Sequence, residues 1–274
     1  SDVCSSDLET VRRTLADVVT GRKITAVQVF LPRLLKNAAP QVFGHTLTGR
    51  VITSVARRGK YLRLVLDGDR DLLVHLRMTG SLVYMPAGSA IPGTAHIVFI
   101  LDTGTLVYCD VRTFGCLWLV PKTEKTGIKG YDELGPDATD PAFTIDYAWP
   151  LLHKSRRTVK AFLLDQTVVA GLGNIYADEA LFAAGIRPSR RCHGVTKREL
   201  TALKKAVDDV LAAGIAYGGT TIRDFVNGSG REGGNSENLA VYGRQGRPCP
   251  RCSTKIAYVK QGGRGTHYCP HCQK

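Results

Sequence analysis

Four thiols carry the plainest chemistry in the sequence. Cys249, Cys252, Cys269 and Cys272 form two Cys-x2-Cys pairs, a spacing that brings four thiolates to one tetrahedral zinc. Sulfur fills every coordination position, so the expected role is structural: one Zn2+ that catalyses nothing. Between the pairs runs KIAYVKQGGRGTHYC, a basic hairpin with Arg264 near its tip. Such a hairpin suits a groove of DNA, but its spacing fits an ordinary exposed turn arginine equally well. A second group lies in GLGNIYADEALF, residues 171–182, where a Gly-x-Gly turn leads to Asn174 as the expected N-cap of a helix. Free backbone N–H groups there suit a phosphate, and SRR at 155–157 adds positive charge nearby, although any capped helix looks similar. The third group is ARRGKYLRL, residues 56–64, whose cations suit phosphate contact at a strand entry. Within it, Lys60 reads either as a catalytic cation or as part of a solvated edge. The fourth is HLRMTGSL with DVRTFG, where Met78 and Phe114 each stand beside a glycine turn and a basic residue. Wedges of that kind unstack bases in a kinked duplex; core packing is the rival reading.

The whole chain narrows these options. Its 274 residues are 43% hydrophobic and carry a formal net charge of +13, which favours a polyanionic partner, nucleic acid first. No apolar run is long enough for a membrane span, and the opening residues lack the pattern of a secretory signal. Four of the eight cysteines sit in the paired motif and the rest are scattered, as in a metal protein of a reducing compartment.

The elements that must hold these residues fall into two periods. After an amphipathic helix that starts at Glu9, the segments ITAVQVF, TGRVITSVARRG, KYLRLVLDG, DLLVHLRMTGSLVYM, AHIVFILDTG and TLVYCDVRTFGCLWLV predict strands in quick succession. That succession implies an antiparallel sandwich or barrel. A Pro- and Asp-rich linker over 135–150 follows. Helical patterns then occupy SRRTVKAFLLDQ, NIYADEALFAAG and TKRELTALKKAVDDVLAAGIAYGG. A mobile Gly/Ser/Asn loop is expected over 227–238, and a small metal module from 242 to 274. The expected fold class is α+β in two domains: an N-terminal domain over 9–134 and a helical domain over 151–241.

In this order, ETVRRTL, RRGKYL, HLRMTGSL, DVRTFG, KAFLLDQTVVAGLGNIYADEALFAAGI, GGTT, VYGR and the terminal CPRC…CPHCQK closely resemble the bacterial formamidopyrimidine-DNA glycosylase family. The likeness covers residues 9–274. It implies an N-terminal β-sandwich with flanking helices and a helix–two-turn–helix domain with a zinc-finger hairpin. Damaged duplex DNA would lie bent between them with one nucleotide flipped out. The implied activity is base-excision repair: a bifunctional enzyme, both glycosidase (a hydrolase) and β,δ-elimination lyase, that removes 8-oxoguanine and formamidopyrimidines and cleaves the abasic site. It would act as a monomer in the bacterial cytoplasm, associated with the nucleoid. By resemblance, Lys60 is a phosphate contact and the proton donor for β-elimination. Met78, Arg112 and Phe114 fill the gap left by the flipped base, with Arg112 facing the orphaned cytosine. Asn174 and Arg264 contact phosphates beside the lesion, and Arg264 donates the proton in δ-elimination. Two other readings use the same motifs: a non-enzymatic zinc protein that binds damaged DNA, and an endonuclease eight-type glycosylase for oxidised pyrimidines. HLRMTGSL and DVRTFG favour the purine branch.

The chain departs from the family at several points. Thr94 replaces the first histidine of the family's His-x-His, leaving His96, and Thr113 replaces the second arginine of Arg-Arg-Phe-Gly. The 227–238 loop, the expected lesion cap, lacks an aromatic. The largest departure is the start. The family opens, after Met removal, on Pro-Glu-Leu-Pro-Glu-Val; here VCSSDL stands in its place, with Val3 at the Pro position, Cys4 at the Glu position, and Ser1 and Asp2 ahead. The resemblance makes that Pro's secondary amine the nucleophile at C1′, forming an iminium that serves as electron sink, and makes the Glu an acid–base group. The chain as written is therefore expected to be catalytically impaired. SDVCSSDL back-translates to a common sequencing-library adapter, so residues 1–8 are expected to be non-native.

Overall fold

The computed structural model describes residues 3–123, 125–222 and 225–274. Its first helix, α1 (Ser5–Val19), starts four residues earlier than the apolar spacing from Glu9 predicts. The reason is a reciprocal cap: the Asp7 carboxylate accepts from Cys4 N at 3.2 Å while the Cys4 side chain faces the Asp7 amide. Leu8, Val11, Leu15 and Val19 then form one fully buried stripe. Ser1 and Asp2, part of the expected non-native octapeptide, lie outside the described residues.

Eight strands follow, with one helix among them: β1 (Ile24–Val29), α2 (Pro40–Leu47), β2 (Ile52–Arg58), β3 (Tyr61–Leu66), β4 (Arg70–His75), β5 (Gly80–Pro86), β6 (Ala95–Leu101), β7 (Gly104–Asp110) and β8 (Cys116–Pro121). They form two four-stranded antiparallel sheets, ordered β1-β6-β7-β5 and β2-β3-β4-β8. Leu62, Leu64, Leu72 and Val74 of one sheet pack against Leu82, Ile97, Phe99 and Leu106 of the other, with the apolar stripe of α1 joining the same core. This is the expected β-sandwich.

Two segments that read as single long strands are each broken. DLLVHLRMTGSLVYM crosses from one sheet to the other between β4 and β5, and TLVYCDVRTFGCLWLV crosses between β7 and β8. Arg77 (φ 57°) and Thr113 (φ 56°) adopt left-handed conformations at the two crossings, which non-glycine residues rarely occupy. Gly115 is required at the second, because a Cβ there would overlap the Tyr108 hydroxyl. Met78 thus lies on one sheet-crossing turn, and Arg112 and Phe114 on the other.

The second half contains α3 (Lys129–Asp132), α4 (Ile145–Lys154), α5 (Val159–Leu163), α6 (Asn174–Ala183) and α7 (Lys197–Ala216), then the hairpin β9 (Ala257–Gln261) and β10 (Arg264–Tyr268). The expected linker over 135–150 needs correction, since its last residues are the start of α4. Pro150 sits inside that helix and removes one hydrogen bond, but Ala148 and Leu152 are buried with Phe162, Leu181 and Leu203. The 227–238 loop is not loose either. Gly228 N donates to Thr14 Oγ1 (2.9 Å), Tyr84 N donates to Gly228 O (2.8 Å), and the Asn227 side chain accepts from Ser229 N and Arg231 N. The loop is thereby sewn to α1 and β5.

The zinc module borrows its core. Cys249, Cys269, Ile256 and Val241 pack on Phe182 of α6. Two acidic residues of the same helix hold its frame. Glu179 accepts from the backbone N–H of Ala240, Val241 and Tyr242 at 2.8–2.9 Å. Asp178, fully buried, pairs with Lys160 Nζ at 2.6 Å and accepts from His267 N at 2.8 Å.

Candidate nucleic-acid interface and active site

Three groups of side chains meet at the N-terminal end of α1. The first surrounds Cys4 and Lys60. Lys60 follows Gly59, whose φ of +56° turns the chain between β2 and β3, and is only 6% exposed. Its ammonium lies near enough to Cys4 to favour the thiolate, yet burial and then Asp7 push the Cys4 thiol up to about 12. Cys4 is therefore a neutral thiol at physiological pH. Asp7 beside it accepts from Thr220 N (2.9 Å) and Tyr176 Oη (3.2 Å) besides Cys4 N. Burial outweighs these donors and pushes its carboxyl up to about 6.

The second group is carried by the sheet-crossing turns. Arg112 Nη1 reaches Met78 Sδ at 3.1 Å, and its guanidinium lies over the Phe114 ring at 4.8 Å. Met78 is 37% exposed and Phe114 54%, so the core-packing reading of both fails. Asp110 fixes this cluster from below. Its buried carboxylate accepts from Thr79 Oγ1 (2.5 Å), Arg112 N (3.2 Å) and Gly115 N (2.7 Å). Thr113 accepts from Arg33 Nη2 at 2.5 Å, Thr94 Oγ1 donates to Cys109 Sγ at 3.8 Å beside Asp110, and the retained His96 Nε2 lies 2.9 Å from Asp110 O. The two departures from the family pattern therefore border the same loop.

The third group joins α6 to the zinc hairpin. Gly173, not Asn174, is the N-cap of α6. Asn174 is the first helical residue, and its Nδ2 donates to Gly265 O at 2.9 Å. Lys160 Nζ donates to the same carbonyl at 2.9 Å, so the residue after Arg264 is clamped while Arg264 itself stays exposed. The buried Asn174 Oδ1 has no hydrogen-bond partner among the described residues.

Backbone hydrogen bonds tie the groups together through residues 3–5. Val3 N donates to Arg77 O at 2.8 Å, next to Met78, and Ser5 N donates to Gly171 O at 2.9 Å, in the turn that leads to Asn174. A Cβ on Gly171 would press on the Ser5 side chain at 2.5 Å, so glycine permits this approach.

The basic run 56–64 does less than its composition suggests. Arg57 is buried between Glu9 and Asp137, Arg63 pairs with Asp71, and Arg58 donates to Leu134 O. Among those cations, Lys60 alone has no fixed partner among the described residues. Arg157 of the SRR stretch is likewise paired, with Asp165. Sequence reasoning missed Asp7, Asp110, Lys160, Asp178 and Glu179. All but Asp7 shared one signal, a charged side chain inside an otherwise apolar run, as in NIYADEALF.

The four cysteine sulfurs lie within 4.8 Å of one another, with Cys249–Cys272 at 3.9 Å and Cys252–Cys269 at 3.5 Å. Zn–S bonds of about 2.3 Å in a tetrahedron put sulfurs about 3.8 Å apart. The set therefore fits one structural zinc, which ties both knuckles into one frame. No helix of the described residues is long and apolar enough to cross a membrane.

Comparison with known proteins gives three family matches along the chain. They are the formamidopyrimidine-DNA glycosylase N-terminal domain over residues 5–117, the H2TH domain of the same proteins over 134–226, and the zinc finger found in FPG and IleRS over 246–274. The formamidopyrimidine-DNA glycosylase of Pelotomaculum thermopropionicum is 46% identical, with 98% of each chain covered. That of Moorella thermoacetica is 47% identical over 93% of each. Among solved structures, Lactococcus lactis Fpg in complex with abasic-site DNA superposes with a TM-score of 0.92 at 34% identity and 99% coverage of both chains. The same protein with Fapy-dG-containing DNA gives 0.91 at 34% identity, covering 98% of this chain and 99% of the other.

Proposed function

Because the chain belongs to the formamidopyrimidine-DNA glycosylase family, we propose that it is a base-excision-repair enzyme that removes oxidised purines from duplex DNA and cleaves the resulting abasic site. The observation that carries this reading is the meeting of three groups at residues 3–5. A nucleophile at the start of α1 would stand between the exposed Met78–Arg112–Phe114 cluster and the phosphate-binding end of α6. Lys60 would contact the phosphate there and protonate in β-elimination. The exposed cluster would occupy the space vacated by an extruded nucleotide, with Arg112 turned to the orphaned base. Asn174 would offer its second amide N–H to a phosphate beside the free N–H groups of α6. Arg264, held at a fixed height by the Gly265 clamp, would serve the adjacent phosphate and the δ-elimination step. The partner is a damaged duplex met by a single chain, and the setting is bacterial DNA in the cytoplasm.

The chain as written binds but is impaired in excision. Val3 N is a peptide nitrogen committed to Arg77 O, so it offers no amine to C1′. Cys4, a buried neutral thiol, supplies no carboxylate for acid–base work at the sugar. Replacing residues 1–8 with Met-Pro-Glu-Leu-Pro-Glu-Val, with Met removed in the cell, should restore 8-oxoguanine excision and borohydride trapping. Equal turnover by the two proteins would overturn the dependence on a terminal Pro.

A further inference from the structure

A second strongly basic face lies outside the three groups. His153, Lys154, Ser155, Arg156, Arg191 and His193 line a hollow of about 460 Å³ where the end of α4 meets the segment before α7. Among the described residues no carboxylate lines it. Lys154, Arg156 and Arg191 make no ion pair among the described residues, whereas neighbouring cations are neutralised: Arg157 by Asp165, Arg190 by Glu199, and Lys204 and Lys205 by Asp208 and Asp209. Like charges held together without counter-charge raise the energy of the free protein, and an arriving polyanion relieves it.

The hollow rests on fixed backbone. Thr158 bridges to Arg191, Cys192 N donates to Arg157 O at 3.0 Å, and Arg191 Nη1 donates to Arg156 O at 2.9 Å. His153 is stacked on Trp149 at 5.3 Å. The hollow also continues the proposed DNA site. Arg157, the residue after Arg156, lines a neighbouring hollow together with Lys160, Gln261 and Arg264. Asp165 and Asp178 neutralise Arg157 and Lys160, so along this track from the zinc hairpin past α5 the cations without an ion pair among the described residues are Arg264 at one end and Lys154, Arg156 and Arg191 at the other.

We propose that this face binds the phosphate backbone of the duplex beyond the lesion, as a second, sequence-independent contact that comes into use only when the DNA is long enough to reach it. The proposal rests on the DNA-repair reading above, and duplex length separates the two. A short duplex tests lesion binding at the cleft alone, and a long one adds the track.

The test measures affinity of the full chain for duplexes of about 12 and about 30 base pairs, each with a central abasic-site analogue, over a range of salt. Neutralising Lys154, Arg156 and Arg191 with glutamine should leave the short duplex unaffected. It should weaken the long one about tenfold near 0.1 M salt and lower the slope of log affinity against log salt by about 2–3. Arg191 also supports the loop, so the Lys154→Gln, Arg156→Gln pair, whose side chains make no hydrogen bond or ion pair among the described residues, should lower the long-duplex slope by about 2. The charge-keeping pair Lys154→Arg, Arg156→Lys should match the parent. A glutamine pair that binds the long duplex like the parent would overturn the proposal, including in favour of an acidic protein as the occupant. Failure of the parent on the short duplex would instead overturn the repair reading.

Discussion

Asp110 is the residue through which the cluster at the sheet-crossing turns can be tested without touching it. The Asp110 carboxylate is 1% exposed and accepts from Thr79 Oγ1, Arg112 N and Gly115 N. Asp110→Asn keeps the shape but leaves one acceptor oxygen and adds a donor. If the oxygen stays on Gly115 N, the new amide faces the Thr79 hydroxyl, which can turn to accept, and Arg112 N, which then has only Thr79 Oγ1 at 3.1 Å. Hydrogen bonds to a charged group contribute about 1.5–3 kcal/mol each and neutral ones about 0.5–1.5, so the exchange costs about 2–4 kcal/mol, part of it offset because no charge is then buried. The loss falls on a loop whose outer residues Val111, Arg112 and Phe114 are exposed, so it should open the loop locally and leave the sandwich folded. A penalty of about 1.4 kcal/mol is tenfold in affinity. The variant should therefore bind an abasic-analogue duplex about 10–30-fold more weakly opposite cytosine. The change should be much smaller opposite adenine, which the proposed Arg112 contact would not match. The assay is fluorescence anisotropy on the two duplexes, with the melting temperature as control. An unchanged cytosine-to-adenine ratio in a folded variant would refute the claim that Asp110 preorganises Arg112.

Three further outcomes follow from the same geometry. Cys269→Ser should lose zinc and DNA affinity while the β-sandwich stays folded, because the module is held by α5, α6 and residues 185–188 of the helical half; one full zinc equivalent in that variant would sink the four-thiolate site. Asp7 titrates in the folded chain at about 6, above its ordinary 3.8, so folding favours its protonated form: that contribution is complete below 3.8 and lost as pH rises through about 6. Asp7→Asn should flatten the fall in urea midpoint across this window, and a profile that falls as steeply as the parent's would contradict the assignment. For the opening residues, sequencing the source locus should show a Pro-Glu codon pair in place of VCSSDL; an authentic VCSSDL run there would end the adapter explanation.

What the sequence made legible was whatever depends on local spacing. The two Cys-x2-Cys pairs needed only their intervals, and the alternation in ITAVQVF or KYLRLVL needed only a period of two. Met78 and Phe114 could not be separated from core residues that way, because their exposure depends on two chain crossings made by left-handed turns at Arg77 and Thr113. Composition misled at ARRGKYLRL, where two of the four cations are neutralised, Arg57 by Glu9 and Asp137 and Arg63 by Asp71; the partners are up to 80 positions away in the chain. Helix α4 was hidden by Pro150, whose single lost hydrogen bond is outweighed by the burial of its neighbours. The loop at 227–238 looked mobile because glycine and asparagine are permissive, yet its anchors, Thr14 and Tyr84, lie on distant elements.

Placing VCSSDL over the family hexapeptide separates folding from chemistry position by position. The last two places keep their character: a carboxylate for a carboxylate at Asp7 and an apolar side chain for an apolar one at Leu8. These two have work in the folded chain, Asp7 as the acceptor that joins α1 to Thr220 and Tyr176, and Leu8 as part of the sandwich core. The first two places, Val3 and Cys4, keep nothing of Pro and Glu, yet the backbone of residues 3–5 still bonds to Arg77 and Gly171, because those bonds use peptide groups that any residue supplies. The fold therefore tolerates a change that the proposed reaction would not. The proposed DNA-binding groups keep their arrangement because none depends on the identity of the side chains at positions 3 and 4, whereas the proposed attack on C1′ depends on a free secondary amine that a peptide nitrogen cannot imitate.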